Sequence, residues 1–298
     1  MVDPSSIEQA LATAAGAADL AGVQVVALHD HRDMAAVSRL FDDVWGRTGP
    51  ADAILAPEAL TALAHAGAQV SGALRDDTLV GATAAFLGRD DDGDTYLHSH
   101  VTGVLGGAAG RGVGRALKWH QRAWCLQRDL VRVRWTFDPL VRRNAVFNLV
   151  HLGARVVGYR EDLYGRMQDA RNAGTPTDRL VVDWDLFAPR VLAAAAGRAA
   201  EPDVTAMRRA GAAAVLRVDD DGTPHLTPTD APRRLVQVPA DIEAIRRQDP
   251  DLATAWAAAV RTTLGHALQH GMRVGGCTRD GWYVLAMDRA VSELAERR

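Results

Sequence analysis

Residues 106–124, GGAAGRGVGRALKWHQRAW, set five glycines directly before a strongly helical run. No other segment constrains the chain as tightly. Glycine backbone reaches positive φ and lets a ligand come close, and a helix start offers unpaired N–H groups to an anion. The surroundings narrow the fold further. Three strand-like segments (69–76, 78–90 and 95–105) run into this turn with no helix between them. They are joined by RDDT and RDDDGDT, Asp- and Gly-rich as hairpin turns are. A helix over 112–128, a strand over 131–139, a helix over 141–153 stopped by Gly153, and strands over 154–162 and 178–186 follow. Upstream lie a strand over 22–30 and a helix over 31–47 with Met34, Val37, Leu40, Phe41 and Val44 at helical spacing. A second helix opens at Pro57 and ends at Gly67. This order predicts a mixed α/β fold, α+β-like, with a central, mainly antiparallel sheet flanked by helices, rather than a regular βαβ repeat.

Three segments are expected: an alanine-rich lead-in over 1–21, a main domain over 22–187, and an α/β extension over 188–298. The extension begins with a linker helix. It continues with a hairpin over 213–228, a strand over 234–239, a helix from Pro250 to His270 that stops at a glycine, and a hairpin over 272–288. Helix, glycine stop and hairpin repeat the order of 141–186, which suggests a degenerate half-repeat. With 298 residues and a formal charge of −3, no basic field invites nucleic acid or an anionic membrane. No apolar run is long enough to span a bilayer, and the N-terminus lacks the basic start of a signal peptide. Cys125 and Cys277 lie far apart without metal spacing and read as reduced thiols, as in a cytoplasmic protein. RDDDGDT has a calcium-loop look but no closing acid, so a solvated turn and no metal are expected.

Three kinds of phosphate loop can be compared with the glycine turn. A mononucleotide loop needs Gly-Lys-Ser/Thr at its helix end; Gly114-Arg115-Ala116 has neither the lysine nor the hydroxyl. A dinucleotide turn needs G-x-G-x-x-G/A and an acid closing the next strand. Asp138 closes that strand, but Arg115 takes the place of the small residue and three antiparallel strands precede the turn. The third fits better. VLGGAAGRGVGRAL resembles the pyrophosphate loop of the GNAT superfamily of N-acyltransferases, an apolar strand end followed by R/Q-x-x-G-x-G/A at a helix start. Val104 and Leu105 fall at the strand end, Ala109, Gly110, Arg111, Gly112, Val113 and Gly114 in the core motif, and Arg115 just after it. Ala109 departs from the usual Arg or Gln, which leaves Arg111 or Arg115 to supply that donor.

The resemblance extends over residues 22–186 by element order. Helix 141–153 resembles the superfamily's second coenzyme-side helix, with Asn144 near its start; Leu149 stands where a tyrosine often protonates the leaving thiolate. HSHVTGV, GRGVGRALKWHQR, WTFDPLVRRNAVFNLVHLGA, YREDLYG and DRLVVDW resemble a subgroup of acyltransferases with a long C-terminal extension, some members of which are linked to N-succinylamino-acid metabolism. The resemblance implies coenzyme A or acyl-CoA as co-substrate, an acetyl or succinyl group as cargo, and a small amine such as an amino acid as acceptor.

Direct attack of an amine on a thioester requires a bound acyl donor, a base for the ammonium proton and a donor for the oxyanion. The resemblance places the oxyanion donor at the backbone N–H of Val104 or its neighbour. Strand 95–105 offers His98 and His100, two residues apart and so on one face together with Thr102. Imidazole accepts a proton near neutral pH; the resemblance favours His100 as base, with His98 second, against simple packing on the sheet. Tyr164 is preferred to Tyr159 as the acid, the alternative being a packed ring with its hydroxyl in solvent. Phe137-Asp138 closes the strand where the acceptor should arrive, and Asp138 either holds the ammonium or caps the helix at 141. Arg142, Arg143 and Arg160 are candidates for gripping a carboxylate, or form a solvated basic surface. Trp119, Trp124 and Trp135 are expected in the core. Two other functions stay open: a GNAT-fold binding or regulatory module without catalysis, and a dinucleotide-dependent oxidoreductase. Residues 188–298 shape the acceptor pocket, mediate a homodimer, or both.

Overall fold

The computed structural model describes residues 1–47, 53–165, 167 and 175–287. In chain order the first elements are α1 (Pro4–Ala21), β1 (Gln24–Ala27), α2 (His31–Trp45), α3 (Pro57–His65), β2 (Gln69–Arg75), β3 (Thr78–Arg89) and β4 (Thr95–Val104). Then come α4 (Val113–Leu126), β5 (Arg132–Phe137), α5 (Arg142–Val146), β6 (Arg155–Arg160) and β7 (Arg179–Asp185). The remainder is α6 (Pro189–Ala195), α7 (Val204–Arg209), β8 (Ala213–Val218), β9 (Pro224–Leu226), β10 (Arg233–Gln237), α8 (Ile242–Gln248), α9 (Pro250–Val260), α10 (His266–Gln269), β11 (Met272–Cys277) and β12 (Trp282–Met287). Helices α7 and α8 are additions to the sequence expectation. Asp288, the end of the expected last hairpin, and part of the polar connection before 178 lie outside the described residues.

The chain packs as two compact units. One joins Met1–Trp135 to Trp184–Ala196; the other joins Thr136–Asp183 to the chain from Gly197 onward. These limits differ from the 21/22 and 187/188 boundaries drawn on composition, because the chain passes between units inside strands β5 and β7, where composition does not change.

The first unit holds a mixed sheet ordered β1-β2-β3-β4-β5, antiparallel throughout except for the parallel pair β4 and β5. At the β2–β3 turn Asp76 and Asp77 both take positive φ, 48° and 59°, a conformation Asp tolerates and a tight hairpin requires. One sheet face is covered by α2 and α3 through Met34, Val37, Phe41 and Leu60, packed on Val70, Ala82, Ala84 and Val101. The other carries α4, whose Val113, Ala116 and Leu117 cluster with Ala21 of α1 and Ala73 of β2. The lead-in is thus an 18-residue helix, started by the Asp3 cap and Pro4 and ended by Gly22 at φ 61°. Its alanines allow α1 to lie close on α4.

In the second unit a five-stranded sheet runs β11-β12-β10-β8-β9, with β8 and β10 parallel, and β6 pairs antiparallel with β7. The helix expected over 141–153 is α5 followed by a π-helical turn, Phe147–His151, and it ends at Gly153 with φ 70°. The helix expected from Pro250 to His270 likewise holds a π turn, Arg261–Gly265, and ends at Gly271 with φ 82°. Both glycines lead into a hairpin with a register shift at the same offset, Val156/Gly158 and Val274/Gly276.

Candidate active site

The glycine turn sits at the end of β4. A single 3-10 turn, Gly106–Ala108, uses the N–H groups of Ala108 and Ala109, which donate to Leu105 and Gly106 carbonyls at 2.9 and 3.2 Å. Gly110 and Gly112 then take φ 75° and 86°, Gly112 as the N-cap of α4. Ala116 N–H donates to the Gly112 carbonyl at 2.9 Å. Between these bonds, the N–H groups of residues 110–115 donate to no acceptor among the described residues. Four such groups belong to any helix start; Gly110 and Arg111 add two more. A Cβ at Gly110 would meet nothing within 4 Å, and one at Gly114 only Val104 Cγ2 at 3.9 Å. A run of N–H groups without acceptors among the described residues, with clearance at two glycines, fits a diphosphate. Ala109 brings no side-chain donor to it.

Strand β4 differs from the regular strand read from the sequence. Its register against β3 shifts, with Ala85 opposite Ser99 but Ala84 opposite Val101, so His100 is the extra residue of a β-bulge. His98 and His100 stay together: their rings lie 5.9 Å apart and both contact Phe86, at 5.0 and 5.7 Å. Thr102 does not share their face, which corrects the expectation. Its Oγ1 lies 2.8 Å from that of Thr83. Thr83 has the parity of Gly81, whose Cβ position points at Val113 and Leu117 of α4. The bulge moves everything after His100 out of phase. Burial lowers the pKa of both imidazoles below 6.5, and at His98 the charges of His100 and Lys118 lower it further. Each shift favours the neutral imidazole.

Pairing of β4 with β5 is confined to Leu97 with Val133 and His98 with Arg134. Beyond it no strand among the described residues pairs with the β5 side of β4. Leu105 N–H donates to Val80 of β3 at 3.0 Å, and successive N–H groups of a strand point to opposite edges, so Val104 N–H points to that side. Leu105 is therefore committed to the sheet, and Val104 is the available oxyanion donor of the two. The sequence reading did not single out Lys118. It is buried in α4, its Nζ donating to Ser99 Oγ at 2.8 Å and Gln121 Oε1 at 3.0 Å, 3.9 Å from the Trp135 ring. Burial brings its pKa down to about 7. A polar residue on an otherwise core-facing position of the helix is the only trace of it in the sequence. Trp119 and Trp135 are core, both packed on Trp184; Trp124 is half-buried beneath Arg128.

The other expected site residues belong to the second unit. Of the two roles open to Asp138, holding the acceptor ammonium or capping the helix at 141, neither is seen directly: its carboxylate is already engaged. Oδ1 accepts Leu140 N–H at 2.8 Å and Oδ2 accepts Arg246 Nη2 at 2.7 Å, with both side chains buried. Tyr283 donates to the Pro139 carbonyl at 2.7 Å and locks the same turn. Phe137 is buried. Arg143 is committed to Glu243 in a two-bond pair, 2.6 and 2.8 Å, which raises its pKa and removes it as a free carboxylate grip. Arg142 is half-buried and has no such partner among the described residues; it lines an open cleft of about 400 Å³ with Val141, Val146, His151, Asp241 and Ile242. Asn144 is half-buried near the start of α5, and Arg160 is exposed. Tyr159 is fixed: it donates to Asp178 Oδ2 at 2.6 Å, and Arg261 holds the same carboxylate at 2.6 and 2.9 Å. Burial and that bond push its pKa well up. Tyr164 is exposed, its hydroxyl 3.4 Å from Thr136 Oγ1. Among the described residues there is no cluster of three or more metal-ligating side chains, and no helix long and apolar enough to cross a membrane.

No family model matches the chain, and no curated protein matches it. Solved structures do resemble it over about half its length. An N-acetyltransferase from Staphylococcus aureus is 10% identical over 55% of this chain and 98% of its own, with a TM-score of 0.46. A ribosomal-protein-alanine N-acetyltransferase from Brucella melitensis is 16% identical over 54% and 98%, at 0.42. An acetyltransferase of the GNAT family from Streptococcus pneumoniae is 14% identical over 54% and 98%, at 0.40. With scores below 0.5, the functional reading rests on this chain's own geometry.

Proposed function

We propose that this chain is a GNAT-type N-acyltransferase that moves an acetyl or succinyl group from acyl-CoA to the amine of a small molecule, an amino acid or a related amine. The observation that carries this is the run of undonated N–H groups over residues 110–115, at the end of a strand that bears two imidazoles shifted toward the neutral form and an edge that, beyond His98, has no strand partner among the described residues. Acyl-CoA, when bound, supplies the thioester whose acyl group is transferred. The residues of the chain do the rest. Backbone N–H groups of Gly110 to Arg115 hold the diphosphate, aided by the α4 dipole. Val104 N–H stabilises the oxyanion, worth about 10²–10³ in rate where such a donor is preorganised. His100, or His98 behind it, takes the ammonium proton directly or through water. In the second unit, Arg142 has no carboxylate partner among the described residues and is the guanidinium proposed to take a carboxylate. Tyr164 is the accessible phenol for the leaving thiolate.

Thiol release from acetyl-CoA and succinyl-CoA, measured against amino acids and small amines, tests this. Turnover with either donor is expected, and intact coenzyme binding without turnover overturns the enzyme. Native mass spectrometry of the freshly purified protein reads a retained acyl-CoA directly; retention of NAD(H) instead removes the assignment. Replacing His100→Ala is expected to lower turnover roughly 10²-fold, and an unchanged rate ends its role as base.

A further inference from the structure

Lys118 is a buried charge in the first unit that the proposed reaction does not use. Only 4% of it is exposed, and none of its contacts among the described residues is a carboxylate. Its three N–H directions are nonetheless filled, by Ser99 Oγ on β4, Gln121 Oε1 one turn on, and the face of Trp135 on β5. Gln121 passes the connection on, its Nε2 donating to Gln69 Oε1 of β2 at 2.8 Å. Replacing a buried ion by an apolar side chain of similar shape is commonly neutral or stabilising, so packing alone does not call for a lysine. The contact that distinguishes it is Ser99, the residue between His98 and His100 at the bulge, pointing to the helix side while the imidazoles point to the other.

We propose that Lys118 is a positioning residue for the acyl transfer, holding Ser99 and with it the β4 bulge that sets His98 and His100 on one face, and tying both to the helix whose first turn cradles the diphosphate. The inference rests on the N-acyltransferase reading for its consequence in catalysis, and on the contacts alone for its consequence at His98. The groups around His98 on its own face are Phe86 from β3, His100 from β4 and its β5 partner Arg134, while the Lys118 charge acts on it from the α4 side of the sheet; Arg134 is paired with Asp90 at 3.1 Å, which Arg132 also approaches at 3.7 Å. Lys118 itself faces Cys125 on its own helix.

Lys118→Met and Ser99→Ala, singly and together, test this in the full chain. In Lys118→Met the melting temperature is expected to hold or rise, kcat to fall at least tenfold, and the dissociation constant for coenzyme A to stay within twofold. The acid limb of kcat/KM moves upward as a positive charge is lost across the sheet from His98. If the two residues act through one contact, the double variant loses no more kcat than Lys118→Met alone; additive losses overturn the proposal. Imidazole NMR titration supplies a readout independent of turnover. A raised His98 midpoint in Lys118→Met supports the coupling even if no substrate is ever turned over. An unmoved midpoint in an active variant overturns Lys118 and leaves the acyltransferase standing.

Discussion

Gly112 and Gly114 are two residues apart and glycine for different reasons. Gly112 has φ 86°, a conformation that costs an L-residue about 1–2 kcal/mol. Gly114 lies inside α4, and a Cβ there would meet only Val104 Cγ2 at an ordinary 3.9 Å. The protein's own packing does not ask for glycine at 114; the proposed diphosphate over the first turn of α4 would. Gly112→Ala is therefore expected to lower stability by about 1–2 kcal/mol. Gly114→Ala is expected to hold or raise it, since alanine favours helix by up to ~1 kcal/mol over glycine, while weakening coenzyme A binding tenfold or more, about 1.4 kcal/mol. Thermal unfolding and isothermal titration separate the two effects. Equal affinity of Gly114→Ala and the parent chain moves the diphosphate elsewhere. The turn before α4 was legible in the sequence because glycine itself encodes the backbone freedom it uses. The pairing of Asp138 with Arg246 was not, since the partners stand 108 positions apart.

Among the elements, the turn after β5 is held by buried polar contacts. Asp138 and Arg246 form a buried pair, and Tyr283 fixes the adjoining carbonyl of Pro139. Removing one partner of such a buried pair is destabilising, by about 3–5 kcal/mol. Asp138→Ala is expected to lose stability on that scale, as is Arg246→Met, with the double variant recovering part of the loss. Urea unfolding measures this, and a stable Asp138→Ala with only a raised KM for the amine restores Asp138 as an acceptor ligand. Most strands and helices could be read in advance from periodicity and from glycine and Asp-Gly stops: β2, β3, β4 and α4 end within about two residues of their expected limits. The bulge at His100 could not, because an extra residue in one strand leaves no mark on the alternation of so short a segment, and it is what turns Thr102 away from the histidines. Nor could the π turns at 147–151 and 261–265, which keep the apolar spacing of a helix while adding a residue to one turn.

Over the whole molecule, buried titratable groups set how stability follows pH. Lys118 falls from 10.5 to about 7 in the folded chain because of burial. The unfolded chain thus binds more protons from pH 7 upward, and stability rises with pH by at most about 1.4 kcal/mol per unit. His98, His100 and His120, all lowered by burial, act in the same direction below 6.5. Cys125 and Cys277 are pushed by burial from 9.0 up to about 12, so their contribution is complete below 9 and lost as pH climbs through that interval. Tyr159 and Tyr283, raised by burial, add to the loss above 10. One lysine is opposed by two thiols and then two phenols, so stability is expected to climb from pH 7 to about 9 and decline beyond it. The climb arises in the first unit, which holds Lys118 and the three histidines; the decline is shared, Cys125 in the first and Cys277, Tyr159 and Tyr283 in the second. Urea midpoints at pH 7, 8, 9 and 10 trace the curve, and Lys118→Met is expected to flatten its rising side while leaving the decline in place. A parent chain already flat between pH 7 and 9 means that Ser99, Gln121 and Trp135 keep the ammonium charged throughout, and the rise is then absent from both proteins.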